Sequence, residues 1–206
     1  MKVILVNGSP HEKGCTYTAL CEVEKTLREE GIDTEIFWIG TDPISGCRGC
    51  GGCFRGGGCV IKDRVADFDA IAGSADGFVF GTPVHFASAS GAITSFMDRV
   101  FYSCGRKLSL KPGACVVSAR RAGTTATFDQ MNKYLTICQM PVISSSYWNE
   151  VHGRTPEDVA QDLEGLAVMR QLGRNMAWFL KLREAGEKAG IGLPKQEQRV
   201  FTNFIR

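Results

Sequence analysis

The chain has 206 residues, 44% of them apolar and 22% charged, with a formal net charge of +2. That suits one α/β domain with a full-sized core and an appended arm, and the near balance of charge argues against nucleic acid or an acidic membrane surface as a partner. No apolar run approaches the roughly 20 residues that a bilayer span needs, and the chain enters a strand at once, so a cytoplasmic location without a secretory signal is expected.

Val3-Ile4-Leu5-Val6 has no polar interruption and predicts a strand buried on both faces. Asn7-Gly8-Ser9-Pro10 breaks it, and residues 16–30 read as a helix that begins on hydroxyls. A strand, a loop rich in Gly and Ser, and a helix N-terminus together build an anion cradle, because loop N–H groups, the first free helical N–H groups and the helix dipole converge. Ser9, Thr16, Tyr17 and Thr18 add hydroxyl donors without charge, which suits a phosphate monoester. The alternative is an ordinary strand–turn–helix with a polar turn. Neither the Gly-x-Gly-x-x-Gly pattern nor the Gly-x-x-x-x-Gly-Lys-Ser/Thr loop of ATP binders is present there.

Gly31 stops the first helix, and residues 34–39 form a second strand whose early alternation suits a place near the sheet edge. Residues 40–63 make a long loop dense in Gly and Cys, a length that inside a compact domain is functional or disordered. Residues 64–75 read as a helix, 77–81 as a third strand and 92–102 as the next helix. Between the last two lie Thr82-Pro83-Val84-His85-Phe86 and a run of small residues. Residues 114–118 are a fourth strand, followed by the loop through Arg120, Arg121 and Gly123 to Thr124. Residues 127–138 are helical, and 141–146 give a fifth strand. Thr155-Pro156-Glu157-Asp158 starts a long helix that carries Val159, Leu163, Leu172, Met176 and Leu180 and stops near Gly190 or Gly192. The basic tail from Lys195 to Arg206 carries Val200, Phe201, Phe204 and Ile205, so it is expected to dock on something.

Strands alternating with helices imply a parallel sheet covered on both faces. Ligands of such sheets sit beyond the carboxyl ends of the strands, so the loops after strands one, three and four are the candidate site. They offer a phosphate cradle, a proline-fixed turn with two ring side chains, and two arginines beside a glycine and hydroxyls. A planar ring with a phosphate tail would use all three.

Asn7-Gly8-Ser9-Pro10 followed by Gly14-x-Thr16, then Gly81-Thr82-Pro83-Val84-His85-Phe86 leading to Met97-Asp98-Arg99, resembles the flavodoxin-like NAD(P)H-dependent FMN reductases. With Cys47-x-x-Cys50-x-x-Cys53 and Cys59, the chain is most similar to the iron–sulfur flavoprotein branch of that superfamily. The resemblance covers residues 1–150. It implies a flavodoxin-like three-layer sandwich: a five-stranded parallel sheet, order 2-1-3-4-5, with helices on both faces. It also implies FMN with its phosphate at Ser9, Pro10, Gly14, Thr16, Tyr17 and Thr18. The ring would be held by Pro83, Val84, His85 and Phe86 and by the loop of Ser118, Ala119, Arg120, Arg121, Gly123 and Thr124. His11 stands where these loops often carry Arg, and Cys15 where Asn is common, so one charge-assisted phosphate contact is not expected here. Residues 151–206 form a C-terminal helix and tail outside the shared core, packed on the same domain or at an oligomer interface.

Nine cysteines in a reducing cytosol point to metal or redox work rather than disulfides. Cys47, Cys50, Cys53 and Cys59, set among glycines in the loop 43–63, have the spacing by which one loop grips a cubane cluster, and the reading favoured is [4Fe–4S]. Zinc, which usually takes two separated Cys pairs, and metal-free thiols are the alternatives. The other five cysteines are expected to be small buried apolar residues. Cys15 lies at the cofactor loop, where a helix N-terminus would lower its pKa.

The function expected is an FMN-dependent oxidoreductase that takes electrons from NAD(P)H or a small electron carrier. It would pass them to a quinone, a flavin or a redox protein, through the cluster where present. The cofactor makes the bonds, so no catalytic triad is expected. Arg120 or Arg121 would favour reduced flavin; the alternatives are that they steer a nicotinamide phosphate or stand solvated, and that His85 is a turn histidine facing solvent. A cysteine loop at the sheet edge places the nearest flavin in another subunit, so a homodimer or homotetramer is expected. The competing reading is a non-catalytic electron carrier or redox sensor.

Overall fold

Successive residues of β1 (Lys2–Asn7) point to opposite sides of the sheet. Ile4 and Val6 enter one apolar cluster, Val3 and Leu5 the other. β3 (Gly77–His85) repeats this with Phe78 and Phe80 against Val79, and β5 (Gly113–Ala119) with Cys115 against Ala114 and Val116. Such strands must be covered on both faces. In this computed structural model, which describes residues 1–198, 200–202 and 204, helices supply that cover. α1 (Cys15–Glu29) and α7 (Leu163–Lys188) lie on one side; α2 (Arg64–Ala72), α3 (Gly91–Ser103) and α5 (Thr124–Ile137) lie on the other.

With β2 (Asp33–Trp38) and β6 (Glu150–His152), the strands run in the order β2-β1-β3-β5-β6, all parallel. This is the expected flavodoxin-like path; its numbering shifts only because β4 (Ser88–Ala89) is a short antiparallel partner of β3 outside that path. Pairing with β4 also explains why β3 runs on to His85, beyond its expected end at residue 81.

Two elements differ from expectation. The fifth strand was expected at 141–146, but those residues only touch the start of β5: Gly113 N–H donates to the Pro141 carbonyl at 2.9 Å and Ile143 N–H to the Gly113 carbonyl at 2.8 Å. The chain then buckles outward through 144–148, leaving Tyr147 and Trp148 exposed, and pairs fully at β6. Three consecutive serines supply no apolar face to bury, whereas Val151 of β6 is fully buried. The sheet therefore runs past residue 150. The long C-terminal helix is also broken in two. Thr155 starts α6 (Pro156–Val159) with a capping box, and a second cap, Asp162, begins α7. Asp162 accepts from Gly165 N–H at 2.9 Å through one oxygen and from His152 N–H at 2.7 Å through the other, which fixes the break against β6.

A single-turn helix, α4 (Gly105–Leu108), follows α3. Of the five scattered cysteines, Cys104 and Cys115 are buried, and Cys15, Cys21 and Cys138 are half-buried. Burial pushes the Cys104 thiol up to about 12. No helix among the described residues is long and apolar enough to cross a membrane. In the C-terminal tail, Val200, Phe201 and Phe204 are exposed and do not dock on their own chain, while Ile205 and Arg206 lie outside the described residues.

The arm is integral to the core: Met169, Leu172, Met176 and Ala177 of α7 are fully buried in the cluster beneath α1. Gly173 permits the close approach, since a Cβ there would stand 2.8 Å from Thr26 Cβ and 3.1 Å from the Val23 carbonyl. Gly173→Val should therefore lower stability by about 1–3 kcal/mol through overpacking, read as a fall in the urea midpoint. An unchanged midpoint would contradict this packing.

Candidate functional site

The carboxyl edge of the sheet gathers the loops after β1, β3 and β5. Gly8 N–H donates to the Gly81 carbonyl at 2.9 Å, and Ser90 Oγ, at the N-terminus of α3, donates to the Gly8 carbonyl at 3.0 Å. Asn7 shapes the first loop from within: its Oδ1 accepts from Ser9 N–H at 3.1 Å and its Nδ2 donates to the Glu12 carbonyl at 2.9 Å. Ser9 Oγ then accepts from His11 N–H at 3.1 Å. From the sheet edge, Trp38 Nε1 donates to the Ser9 carbonyl at 2.8 Å. Thr16 and Ser118 hydroxyls meet at 2.8 Å, both buried, and join the loop after β1 to the end of β5. Gly123, at φ 91°, lies so close to Val84 that a Cβ would stand 2.8 Å from its Cγ1, which joins the loops after β3 and β5.

These contacts bring Ser9, Thr16, Ser118, Val84 and Gly123 together. Gly14 caps α1 with no side-chain hydrogen bond, and the first turn itself holds no acid, so the positive end of α1 opens onto this loop, with Asp158 and Glu157 of α6 close enough to act on Cys15. The start of α5, at Thr124, is likewise uncapped behind Gly123. Other expected residues are directed elsewhere. Thr18 Oγ1 donates back to the Gly14 carbonyl at 3.2 Å, and Tyr17 bonds to Cys21, which raises the tyrosine's pKa. Pro10 is exposed, as are His85 and Phe86 at the hairpin tip, with Phe86 in the left-handed region at φ 57°. Arg120 and Arg121 are exposed too, and Ala119 is buried at the end of β5. The expected lowering of Cys15 does not occur: burial pushes its thiol up, more than a backbone hydrogen bond lowers it, and Asp158 and Glu157 add to the rise.

A second feature lies at the other end of α3. Cys47, Cys50, Cys53 and Cys59 all line one cavity of about 360 Å³, with Arg99, Tyr102 and Phe54. All four are free thiols. Among the described residues, no three His, Cys, Asp or Glu side chains are gathered as a single metal ion would need.

Arg99, 1% exposed, clasps this loop. Its Nη1 donates to the Ser45 carbonyl at 3.3 Å and to Asp63 Oδ2 at 2.6 Å. Its Nη2 donates to Asp63 Oδ1 at 2.8 Å and the Ile61 carbonyl at 3.0 Å, and Nε and Nη2 both reach Cys59 Sγ at 3.3 Å. Asp63 also caps α2 by accepting from Val65 N–H at 3.1 Å. Burial alone would push the Asp63 carboxyl up, but the Arg99 and Val65 hydrogen bonds and the guanidinium charge together hold it below the usual carboxylate range. Next along, Arg64 lies 4.2 Å over the Phe37 ring and donates to the Trp38 carbonyl at 2.5 Å, so the end of the cysteine loop is tied to the tryptophan that braces Ser9. Sequence reasoning missed Asn7, Trp38, Asp63 and Ser90 as supports. Arg99 lies in the Met97-Asp98-Arg99 run, which by itself gives it no role, and nothing in the pattern marks Trp38.

Because the folded pKa of Asp63 is depressed, its contribution to stability is fully present above the ordinary carboxylate value of about 3.9 and is lost as pH falls through the lower folded value. Wild-type protein should therefore lose stability more steeply than Asp63→Asn below about pH 4, measured by urea unfolding across pH. Parallel slopes would contradict the pairing.

Comparison with known proteins gives consistent matches. The family model described as NADPH-dependent FMN reductase matches residues 1–155. The chain is 32% identical over 190 residues to an iron–sulfur flavoprotein of Methanocaldococcus jannaschii, covering 88% of this chain and 98% of that one. It is 28% identical to an iron–sulfur flavoprotein of Archaeoglobus fulgidus, covering 96% and 89%. Among solved structures, RosB with a bound riboflavin-phosphate intermediate aligns with a TM-score of 0.70 at 12% identity, covering 100% of this chain and 92% of that one. The flavoenzyme FerB, an NAD(P)H:acceptor oxidoreductase of Paracoccus denitrificans, aligns at 0.64 and 14% identity, covering 88% and 97%. At these identities the structural likenesses establish the fold alone.

Proposed function

Since this chain belongs to the NADPH-dependent FMN reductase family, and with its relatives to the iron–sulfur flavoproteins, we propose that it is an oxidoreductase that binds FMN at the carboxyl edge of its sheet. In this reading it takes electrons from NAD(P)H or a small carrier and passes them to a quinone, a flavin or a redox protein. The observation that carries it is the uncapped N-terminus of α1, with no acid in its own first turn, facing a loop that the Thr16–Ser118 hydrogen bond ties to β5. That end carries partial positive charge and free N–H groups, which suit a phosphate.

When bound, FMN supplies the electron-accepting ring. The chain's own part is to bind and orient it. Ser9, Pro10, Gly14, Thr16, Tyr17 and Thr18 hold the phosphate end, and Thr18 and Tyr17 would first release their present partners, the Gly14 carbonyl and Cys21. Pro83, Val84, His85 and Phe86, with Ser118, Ala119, Arg120, Arg121, Gly123 and Thr124, are the ring contacts. The exposure of His85 and Phe86 leaves them free to meet a ring that must also stay open to a donor.

The four thiols that line one cavity, with a buried guanidinium on Cys59, fit a [4Fe–4S] cluster held by Cys47, Cys50, Cys53 and Cys59. Such a group carries single electrons. Arg99 is nine residues along α3 from Ser90, about 13 Å at the helical rise. The exposed apolar tail favours a homodimer or homotetramer, in which the cluster would serve a neighbouring subunit's flavin.

Thr16→Val keeps the shape of the side chain and removes the bond to Ser118. It should weaken FMN binding about tenfold, roughly 1.4 kcal/mol, in a fluorescence titration. Anaerobic NADPH or NADH should bleach the bound flavin of the wild type. Unchanged affinity in Thr16→Val would contradict the site, and failure of both nucleotides to reduce the flavin would contradict the reductase reading.

A further inference from the structure

Arg99 binds one sulfur with two nitrogens. Asp63 and the carbonyls of Ser45 and Ile61 take up its two Nη groups, all within 3.3 Å. Nε finds its acceptor in Cys59 Sγ, at 3.3 Å, and Nη2 reaches the same sulfur at 3.3 Å. The side chain is almost wholly buried, so this donation is not diluted by water, and the fork geometry of the guanidinium fixes its direction. Of the four cysteines, Cys59 is the one farthest along the chain from the Cys-x-x-Cys-x-x-Cys run, and Arg99 is what holds it at the cavity.

We propose that Arg99 is a positioning residue that sets the reduction potential of the cluster by hydrogen-bonding the sulfur of Cys59; this rests on the cluster reading above. One-electron reduction adds one negative charge to the cluster–thiolate unit, breaks no bond and moves no proton. A donor on a ligand sulfur stabilises that added charge more than it stabilises the oxidised form, so it raises the potential. Asp63 pairs the guanidinium charge inside the protein and holds the donor in place.

The test uses the full chain loaded anaerobically with ferrous iron and sulfide, then titrated with dithionite and followed by electron paramagnetic resonance. Arg99→Lys keeps the charge and an ion pair to Asp63 but cannot fork onto the sulfur. Its potential should be more negative by about tenfold in the reduction equilibrium, about 59 mV for a one-electron couple. In the reduced wild type, isotopically labelled arginine should give a nitrogen hyperfine coupling to the cluster that is lost in Arg99→Lys, which separates Arg99 from Arg48 on the same cavity. A merely structural Arg99 would leave the potential unmoved and give no such coupling, and either result overturns the proposal. Wild-type protein that takes up no iron would overturn the cluster reading itself and the proposal with it. Iron bound without coupling overturns the role of Arg99 alone.

Discussion

A charged side chain with almost no access to water governs how the cysteine loop joins the fold. Burying a guanidinium is costly unless each donor finds an acceptor, and Arg99 meets that demand only if residues 45, 59, 61 and 63 are all brought to it. Because Arg99 sits on α3, whose apolar face is locked beneath the sheet by Ile93, Phe96, Met97 and Val100, the guanidinium is an immobile anchor. A loop rich in glycine, with little core of its own, acquires a fixed base from that one residue. The glycines at φ 61°, 66°, 94° and 68° (Gly49, Gly51, Gly56 and Gly58) then let the chain between fold around the cavity.

The sheet edge is organised by a different economy of contacts. Parallel strands all end their carbonyls on one side, and the loops that leave them are drawn together by short hydrogen bonds through Gly8, Gly81 and Ser90. Glycine at position 81 is required there, since a Cβ would stand 2.9 Å from side-chain atoms of both Leu20 and Thr16. Trp38 and Arg64 form a short line of contacts between the two sites: the arginine braces the tryptophan carbonyl, and the indole braces Ser9. The loop after β1 and the cysteine loop are thus parts of one packed unit, although α3 separates them.

The fold was legible because buried parallel strands announce themselves. Val3–Val6, Phe78–Phe80 and Cys115–Val117 are short uninterrupted apolar runs set between glycine-rich or helical stretches, which suit a doubly covered sheet. The fifth strand was misplaced because Val142-Ile143 looks like such a run, whereas the position that pairs in register depends on how far residues 144–148 bulge, which no local pattern encodes. The break before α7 was hidden in a similar way. Asp162 caps the helix through one oxygen while its other accepts from His152 N–H, ten residues earlier. At the site, the backbone signals at Gly8, Gly14 and Gly123 were readable, and so was the cysteine spacing. The supports Trp38 and Arg99 were not, since their partners lie far off in sequence, nor was the bond of Asp63 to Arg99. The pKa of Cys15 shows the same limit: a helix N-terminus is visible in the pattern, but the burial that outweighs it is not.

The central claim is that one chain carries a flavin cradle and a cluster cavity on opposite ends of α3. The most direct measurement is the absorption spectrum of anaerobically prepared protein, with flavin, iron and sulfide determined on the same sample. The account predicts about one FMN and about four iron and four sulfide per chain. Colourless protein that takes up neither added FMN nor iron would contradict it.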